Sequence, residues 1–295
     1  MHDMTSPASS RPRTALVLGG GGITGIAWEL GVLSRLLEAG VALDDADLVV
    51  GTSAGSVVGT MVRLGRVDEG LREQYEAVTE LPTGSIDPEA FQQTLGQALM
   101  GATDQQEARA RIGALARQTP VTGDEPALLT TMRARFGDVG WPTCAFTVCT
   151  VDATDGAFRP LDADSGVDLH RAVAASCSVP VVWPTVEIDG RPTMDGGVRS
   201  GTNADVADEY DRVLVLSCGP ELDVSPLGPT LPQVVAARRA AGREVLVIQA
   251  DAEALAAFGG DVLSTATRRP AAEAGRRQAE ALLDDVRMFW TGAAA

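Results

Sequence analysis

Residues 46–61 read ADLVVGTSAGSVVGTM, an apolar run that small residues interrupt before it continues as a helix-compatible stretch. The interruption is a G-x-S-x-G pattern centred on Ser53, with Gly51 and Gly55 on either side. A strand that turns directly into a helix at this pattern forces its serine into a strained, protruding conformation that only small neighbours tolerate. Because the helix begins there, unpaired amides and the positive end of its dipole face the serine oxygen. The stretch therefore predicts an activated serine nucleophile, with an ordinary tight turn as the alternative.

Short apolar runs alternate with longer amphipathic stretches along the rest of the chain. Strands are predicted at residues 14–18, 48–50, 145–151, 157–161, 185–188, 192–194, 212–217 and 244–248. Between two of these strands, Asp189 and Gly190 form a strong hairpin-turn signal. Helices are predicted at 26–38, where Gly40 marks the end, and in a segment that ends near Ala175. This alternation predicts an α/β fold with a mostly parallel sheet.

The domain organisation follows from changes of composition along the chain. Residues 67–136 are rich in Glu, Gln, Arg and Ala and carry helical patterns with almost no strand signal, so we expect a helical insertion packed on the sheet. Residues 1–13 are polar and lack the apolar core of a signal peptide, which predicts a flexible tail. No internal repeat or long linker interrupts residues 14–292, and a single domain is expected there.

Composition and charge exclude several classes of partner. A chain of 295 residues with 45% hydrophobic content can bury a large core. Its formal net charge of −16, with no lysine, repels nucleic acid and anionic lipid headgroups at long range. Aromatic residues make up only 4%, and no platform for stacking bases is visible. We therefore expect no nucleic-acid partner.

The expected compartment is the cytoplasm. No apolar run in the sequence approaches the ~18 to 20 residues that cross a bilayer. Four cysteines lack C-x-x-C spacing and lie within or beside apolar runs, which predicts buried core thiols in a reducing environment. These cysteines are Cys144, Cys149, Cys177 and Cys218.

A glycine run after the first predicted strand supports two functional interpretations. Residues 20–25 read GGGITG and satisfy G-x-G-x-x-G, the pattern of dinucleotide-binding loops, in which an acid about 20 positions later binds the ribose. Asp44 and Asp45 are available for that role, although the strand that would present them is short. In the favoured interpretation, the glycine amides form a nest for an oxyanion held over Ser53. A purely structural turn is the third possibility.

A serine nucleophile needs a group that accepts its proton, and the sequence offers few. Of the two histidines, His2 lies in the predicted tail and His170 lies in an amphipathic helical segment, which indicates a surface or packing role. Asp195 is the better candidate, because it ends a predicted strand and two glycines follow it. Its alternative interpretation is a turn-forming aspartate, since Asp-Gly is a common turn dipeptide.

Together these motifs resemble the bacterial patatin-like phospholipases. The glycine run at 20–25, the serine pattern at 51–55 and the Asp-Gly-Gly at 195–197 occur in the order of that family. The segment AASCSVP at 174–180 resembles the family's Ala-Ser-x-x-x-Pro stretch. The resemblance covers residues 14–217, and the joint occurrence is far more specific than any single motif.

The resemblance implies a three-layer α/β/α fold and a Ser53–Asp195 dyad that cleaves acyl esters of lipids without histidine, metal or cofactor. It also implies site residues in the glycine motifs. The oxyanion hole would use Gly20, Gly21 and Gly22, and the remaining motif glycines are Gly25, Gly51, Gly55, Gly196 and Gly197. The chain departs from the family at Thr24, where Arg or Lys is usual.

The expected activity is therefore lipid acyl hydrolysis of phospholipase A or esterase type through an acyl-enzyme. Its expected partners are an acyl-ester lipid and, transiently, a membrane or micelle surface. An acyltransferase with the same dyad, a nucleotide-binding protein and a catalytically weak scaffold are the alternatives. Apolar residues of the insertion are candidates for the acyl-binding surface, and they are Leu95, Leu99, Met100, Leu115 and Met132.

Overall fold

The computed structural model describes residues 11–76, 88–121 and 123–292. Within this part of the chain, eight strands form one mixed sheet in the order β5-β6-β3-β2-β1-β7-β8, with β4 paired to β3. Strands β3, β2, β1, β7 and β8 are parallel, and β4, β5 and β6 are antiparallel additions at one side. The strands are β1 Thr14–Leu18, β2 Leu48–Thr52, β3 Ala145–Asp152, β4 Phe158–Leu161, β5 Val186–Ile188, β6 Arg191–Asp195, β7 Arg212–Ser217 and β8 Glu244–Gln249.

Helices cover both faces of this sheet, because alternate residues of the buried strands point to opposite sides. In β1, Leu16 and Leu18 pack into the larger core with α1 and α10, while Ala15 and Val17 pack into a second core with α8. The helices are α1 Gly22–Glu38, α2 Ala54–Arg63, α3 Val67–Tyr75, α4 Pro88–Leu99, α5 Gln105–Gln118, α6 Glu125–Phe136, α7 Leu169–Ser176, α8 Leu231–Ala240, α9 Ala252–Phe258, α10 Arg268–Ala281 and α11 Leu283–Thr291. The predicted α/β/α layering is confirmed.

Most predicted elements match the structure, and one boundary differs by four residues. The helix predicted at 26–38 begins at Gly22. Glycine is a poor helix former, so the sequence of this loop does not indicate that its last turn is already helical. That turn is held by the Thr24 amide, which donates to Val262 O at 3.1 Å, and by the Gly25 amide, which donates to Gly21 O at 2.8 Å.

The predicted insertion at 67–136 contains α3 to α6, and its described residues contain no strand. It does not form a separate lobe. Helix α3 packs on α1, α6 packs on α7, and α5 packs against β3 and β6. The insertion therefore wraps around the side of the sheet, and α6 reaches the edge at which β2 ends.

One expectation about the cysteines needs correction. Cys144 is exposed, whereas Cys149 and Cys218 are buried as predicted and Cys177 is half-buried. Cys144 lies just before the first residue of β3, outside the continuous apolar part of that strand.

Residues 1–10 of the predicted flexible tail lie outside the described residues. The rest of the tail lies against the domain, because Arg11 pairs with Asp47 and the Arg13 amide donates to Asp211. In the part of the chain that the structure describes, no helix combines the length and apolarity needed to cross a membrane.

A buried carboxyl in α1 lies beneath the glycine loop. Glu29 is fully buried, and neither of its carboxyl oxygens has a hydrogen-bond partner. Burial raises the pKa of Glu29 well above its ordinary value of 4.5. The nearby Gly19 amide offsets this rise only in part, because it donates its hydrogen to Leu216 O at 3.1 Å. Burial therefore favours the protonated form of Glu29 in the folded protein.

We expect Glu29→Gln to stabilise the protein increasingly as pH rises. Between the ordinary pKa of Glu29 and its raised pKa in the folded chain, the unfolded chain releases this proton while the folded chain retains it. Over that interval the wild type loses up to about 1.4 kcal/mol of stability per pH unit and the glutamine variant does not. Urea unfolding at pH 5, 6 and 7 measures the difference. Glu209→Gln, at an exposed position, is the control, and a difference for Glu29→Gln that stays constant across this range would contradict the prediction.

Candidate active site

Ser53 occupies the turn between β2 and α2 in a conformation that few non-glycine residues adopt. Its φ is 52° and its ψ is −116°, and it is only 8% exposed. Such backbone strain is typical of functional sites. Gly55 makes the turn possible, because a Cβ there would lie 2.1 Å from Leu18 O. The Gly55 amide also donates to Gly19 O at 2.9 Å, which joins the serine turn to the glycine loop.

Asp195 reaches the same place from the other side of β3. It is the last residue of β6, where it pairs with Thr150 of β3, and Thr52 pairs with the neighbouring Cys149 on the opposite side. Ser53 and Asp195 therefore lie level with each other, two strand spacings or roughly 10 Å apart at the backbone. Two side chains that lean over β3 can close that gap.

The Asp195 carboxyl is buried, and its surroundings shift its pKa. It is 4% exposed, and its Oδ1 accepts the Gly197 amide at 2.7 Å. Burial raises the pKa of Asp195 to about 6, against the lowering effects of the Ser53 hydroxyl and the Gly197 amide. Within the described residues, no hydrogen bond of ordinary geometry joins Ser53 to Asp195. Such bonds are often long in enzymes without substrate and tighten when the substrate binds.

The glycine loop lies beside the serine, but it does not offer all the amides that the sequence suggests. A Cβ on Gly20 would lie 3.5 Å from that of Ser53. The Gly20 amide is already bound to Gly201 O at 2.8 Å, so the expectation that it is open to an oxyanion is wrong for this structure. Among the described residues, the amides of Gly21 and Gly22 donate no hydrogen bond. The backbone around them is crowded, and a Cβ on Gly22, whose φ is 63°, would lie 2.7 Å from Val262 O.

A further unpaired amide belongs to Ala54, the first residue of α2. No hydrogen bond from it occurs among the described residues, as expected for the first turn of a helix. The amide after a nucleophile is a common oxyanion donor. The sequence pattern contained this signal, since the position follows directly from G-x-S-x-G. The prediction instead assigned the oxyanion donors to the glycine run.

The segment at 174–180 fastens the serine turn to the aspartate strand. The Ser176 hydroxyl accepts the Ser53 amide at 2.9 Å and donates to Cys149 O at 2.7 Å. Two residues later, Ser178 O accepts the Asp195 amide at 3.1 Å. Between them, Cys177 Sγ lies 3.4 Å from Ser53 O. The sequence singled out this segment only by its resemblance, and its physical role is to clamp both candidate catalytic residues.

Asn203 connects the loop after Asp195 to the serine strand. It is fully buried in a left-handed conformation, with a φ of 48°. Its Nδ2 donates to Thr52 Oγ1, Gly196 O and Ser200 O at 3.0 to 3.1 Å. One amide group thus links β2 to the Asp-Gly-Gly turn. Sequence reasoning missed it, although a buried asparagine that tolerates positive φ fits such a corner.

The other motif glycines are required where the backbone is crowded. A Cβ on Gly51 would lie 2.6 Å from Gly55 O, and one on Gly196 would lie 2.3 Å from Cys149 O. A Cβ on Gly25 would lie 3.0 Å from Cys218 Sγ. Thr24, which stands where the family usually has a cation, is buried and donates its hydroxyl to Gly21 O at 3.2 Å.

A mostly apolar cavity of about 250 Å³ opens over Ser53. Helix α6 supplies one of its walls, and Trp183, Val179 and Cys177 supply another. The remaining wall comes from the start of α1 and from α2. Its lining also includes Ile26, Val57, Asp124, Leu128, Met132 and Arg135.

Of the five predicted acyl-binding residues, only Met132 lines this cavity. Leu95 and Leu99 pack against a separate cluster around Ile112 and Met194. Met100 is 73% exposed. Leu115 is half-buried on α5 and does not line the cavity. Helical spacing identified apolar faces correctly but could not show which face meets the cavity.

The residues of the alternative interpretations lie elsewhere. Asp44 and Asp45 are exposed just before β2, at the opposite edge of the sheet from the glycine loop. They cannot serve a ribose bound at the carboxyl end of β1. His170 is buried, and its Nε2 contacts Gly137 O at 2.7 Å, so it is a packing histidine. In the described ranges, no three His, Cys, Asp or Glu side chains are grouped to hold a metal ion.

We expect Ser176→Ala to destabilise the protein by about 1 to 3 kcal/mol, because it leaves the Ser53 amide and the Cys149 carbonyl buried without a partner. Ser178→Ala is the matched control. That side chain is equally buried, but its hydroxyl donates only to Ala174 O at 2.9 Å, one turn back in the same segment. Urea unfolding of both variants measures the difference. Equal losses would show that the clamp does not depend on the Ser176 hydroxyl.

This chain is similar to known proteins. Among solved structures, the type III effector ExoU shares 15% identity and a TM-score of 0.43, over 95% of this chain and 54% of its own. VipD from Legionella pneumophila shares 13% identity and a TM-score of 0.42, over 94% and 68%. The chain thus spans about half the length of the ExoU chain. No curated protein sequence matches it significantly. The family model described as Patatin-like phospholipase matches residues 16–208, and the chain belongs to the patatin-like phospholipase family.

Proposed function

We propose that the protein is a serine acyl hydrolase that cleaves a lipid ester with Ser53 as nucleophile and Asp195 as general base. Membership of the family implies a lipid hydrolase. The observation that carries the finer assignment is the register of the sheet, which sets the serine turn and the aspartate level with each other across β3. The strained nucleophile and the amides of Gly22 and Ala54 lie at one apolar cavity, and the buried base lies level with the nucleophile.

In the proposed reaction, the Ser53 oxygen attacks the ester carbonyl carbon as its proton passes to Asp195. The C–O bond to the leaving alcohol then breaks, and that alcohol takes the proton from Asp195. A water molecule attacks the acyl-enzyme, gives its proton to Asp195 and releases the fatty acid, after which the proton returns to Ser53. Each step moves one proton over a short distance, so a single carboxyl serves as base and acid in turn.

The developing oxyanion would be held by main-chain amides. Gly21 and Gly22 supply unpaired N–H groups on one side of Ser53, and Ala54 supplies one at the start of α2. The dipole of α2, whose positive end lies at Ala54, favours the same negative charge. Losing a single donor of this kind typically reduces kcat by about 10²- to 10³-fold.

The environment of Asp195 suits a base that works near neutral pH. An exposed aspartate is too weakly basic to accept the proton of an alcohol readily. With a pKa of about 6, Asp195 is a stronger base, and about 90% of it is still ionised at pH 7. Burial therefore makes Asp195 a stronger base while most of it stays ionised at pH 7.

The cavity indicates the kind of substrate. Its apolar walls suit an acyl chain, and 250 Å³ lies below the ~300 to 1,000 Å³ of most ligand pockets. This volume favours one chain over the two of a diacyl lipid. Transient contact with a membrane or micelle, and a cytoplasmic location, remain part of the proposal. An acyltransferase would use the same acyl-enzyme with an alcohol in place of water.

We expect kcat/KM for a p-nitrophenyl ester to fall as pH drops through about 6, because protonation of Asp195 removes the base. Below that pH each further unit should reduce the rate about tenfold. A pH–rate profile between pH 4.5 and 8 measures the inflection. An inflection near 4, the value of an exposed aspartate, would mean that the buried carboxyl is not the group that controls the rate.

Labelling with a fluorophosphonate probe tests the nucleophile directly. The wild type should be labelled, whereas Ser53→Ala should not react and Asp195→Asn should react at least 100-fold more slowly. Hydrolysis of p-nitrophenyl esters should disappear in the same two variants. His170→Ala, confirmed as folded by circular dichroism, should keep both labelling and activity. An inactive but folded His170→Ala, or a labelled Ser53→Ala, would refute the dyad.

A further inference from the structure

The cavity over Ser53 contains a positive charge that the hydrolytic mechanism does not use. Arg135, in the last turn of α6, lines the cavity. Its Nη1 is shielded from water and has no hydrogen-bond partner. Among the described residues, Arg135 forms no hydrogen bond or ion pair with any of its nitrogens. The guanidinium is therefore half-buried in a mostly apolar wall without a partner.

Other arginines of this protein with a buried nitrogen are satisfied in a different way. Arg63 and Arg238 each have an unpartnered Nε, but both bind carbonyl oxygens through their Nη atoms. Their charge is thus solvated by the main chain. Arg135 has no such substitute. Withdrawing part of a charged group from water without a partner is unfavourable, so a ligand that accepts from Nη1 would be stabilised there.

The charge of Arg135 acts close to the nucleophile. Cys177, whose Sγ lies 3.4 Å from Ser53 O, is near enough that Arg135 affects its ionisation. Burial and the Asp195 charge raise the pKa of the Cys177 thiol to about 12, and the guanidinium works against that rise. A second guanidinium lies within electrostatic reach of Arg135, since burial and then the charge of Arg135 lower the pKa of Arg268.

Arg268 does not compete for a ligand. Its Nε donates to Gln74 Oε1 at 2.9 Å, and its Nη2 donates to Glu73 O at 2.6 Å. It adds positive potential from a side chain that does not line the cavity. Arg135 is thus the cation of the described cavity lining, and a second cation reinforces the potential around it.

The acidic residue of the cavity lies too far from Arg135 to neutralise it. Asp124 caps the start of α6 and accepts the Ala127 amide at 2.9 Å. Eleven residues of helix separate it from Arg135, which corresponds to about 16 Å along the axis. The cavity therefore has a positive end, and that end lies near the nucleophile.

We propose that Arg135 binds an anionic oxygen group, a phosphate or a carboxylate, of a single-chain ester whose acyl chain occupies the apolar part of the cavity. This inference rests on the proposed function, since it names the substrate class of that site. The planar guanidinium matches the oxygens of both groups and holds them through two parallel hydrogen bonds. The anion would lie near the alcohol side of the ester, and Arg135 would set which esters are positioned for attack by Ser53.

Binding measured without turnover tests the proposal even if the protein is not a hydrolase. Decyl phosphate, decanoate and decanol, each below its critical micelle concentration, are titrated into Ser53→Ala by calorimetry. One or both anions should bind about 10- to 100-fold more tightly than decanol, the range for hydrogen bonds to a charged group. Preference for decyl phosphate alone assigns a phosphate source, and preference for decanoate alone assigns a carboxylate source.

The same titration in a Ser53→Ala background tests Arg135 itself. Arg135→Gln should abolish the preference for anions over decanol, whereas Arg135→Lys should retain most of that preference. Arg133→Gln is the matched control, because it removes one exposed charge from the same turn of α6. Equal affinity for anions and decanol before substitution, no binding of either anion, or an anion preference that survives Arg135→Gln would each overturn the proposal.

Kinetics with wild-type Ser53 separate this inference from the proposed function. Monodecanoylglycerol and its 3-phosphate differ only in the anionic group. Arg135→Gln should raise the ratio of KM for the phosphate ester to KM for the neutral ester about 10- to 100-fold. If the neutral ester is cleaved but the variant shows no selective change, Arg135 is not the anion site. If neither ester is cleaved by the wild type, the proposed hydrolase fails, and the calorimetric result still decides the binding site.

Discussion

The site depends on a close crossing of two backbones, where the start of α2 lies on the end of β1. The Gly55 amide donates to Gly19 O at 2.9 Å, and a Cβ on Gly55 would lie 2.1 Å from Leu18 O. This contact brings the serine turn against the glycine loop without any side chain between them. It also holds Ser53 at a φ of 52°, a conformation that costs on the order of 1 to 3 kcal/mol. The Ser176 hydroxyl, which accepts the Ser53 amide, offsets part of that strain.

Two carboxyls in the same fold show how the surroundings decide what a buried acid can do. Burial raises the pKa of both Glu29 and Asp195. Glu29 has no hydrogen-bond partner, so burial favours its protonated form and makes it a poor proton acceptor. Asp195 receives the Gly197 amide and faces the Ser53 hydroxyl, and these limit the rise to about 6. The Ser53 hydroxyl and the Gly197 amide therefore distinguish a usable base from a structural acid.

The sequence predicted those parts of the structure that depend on local pattern. Buried strands are continuous apolar runs, and the glycine motifs mark places where backbones nearly touch, so the sheet, the serine turn and Asp195 could be located. Ser176 and Asn203 could not, because their partners lie 123 and 151 residues away along the chain. The occupied amide of Gly20 depends on Gly201 O, which is still farther away along the chain. Long-range pairs of this kind carry no local signature, and the same is true of which helical face meets the cavity.

The overall charge and the charge inside the cavity act over different distances. A net charge of −16 repels an anionic bilayer, but salt screens that repulsion within about 8 Å under physiological conditions. Inside an apolar cavity the screening is weak, and one unpartnered guanidinium outweighs distant surface acids. On this basis the protein would resist docking on an anionic membrane and yet accept a single anionic lipid monomer. Arg268 adds potential without offering a second binding position, because it does not line the cavity.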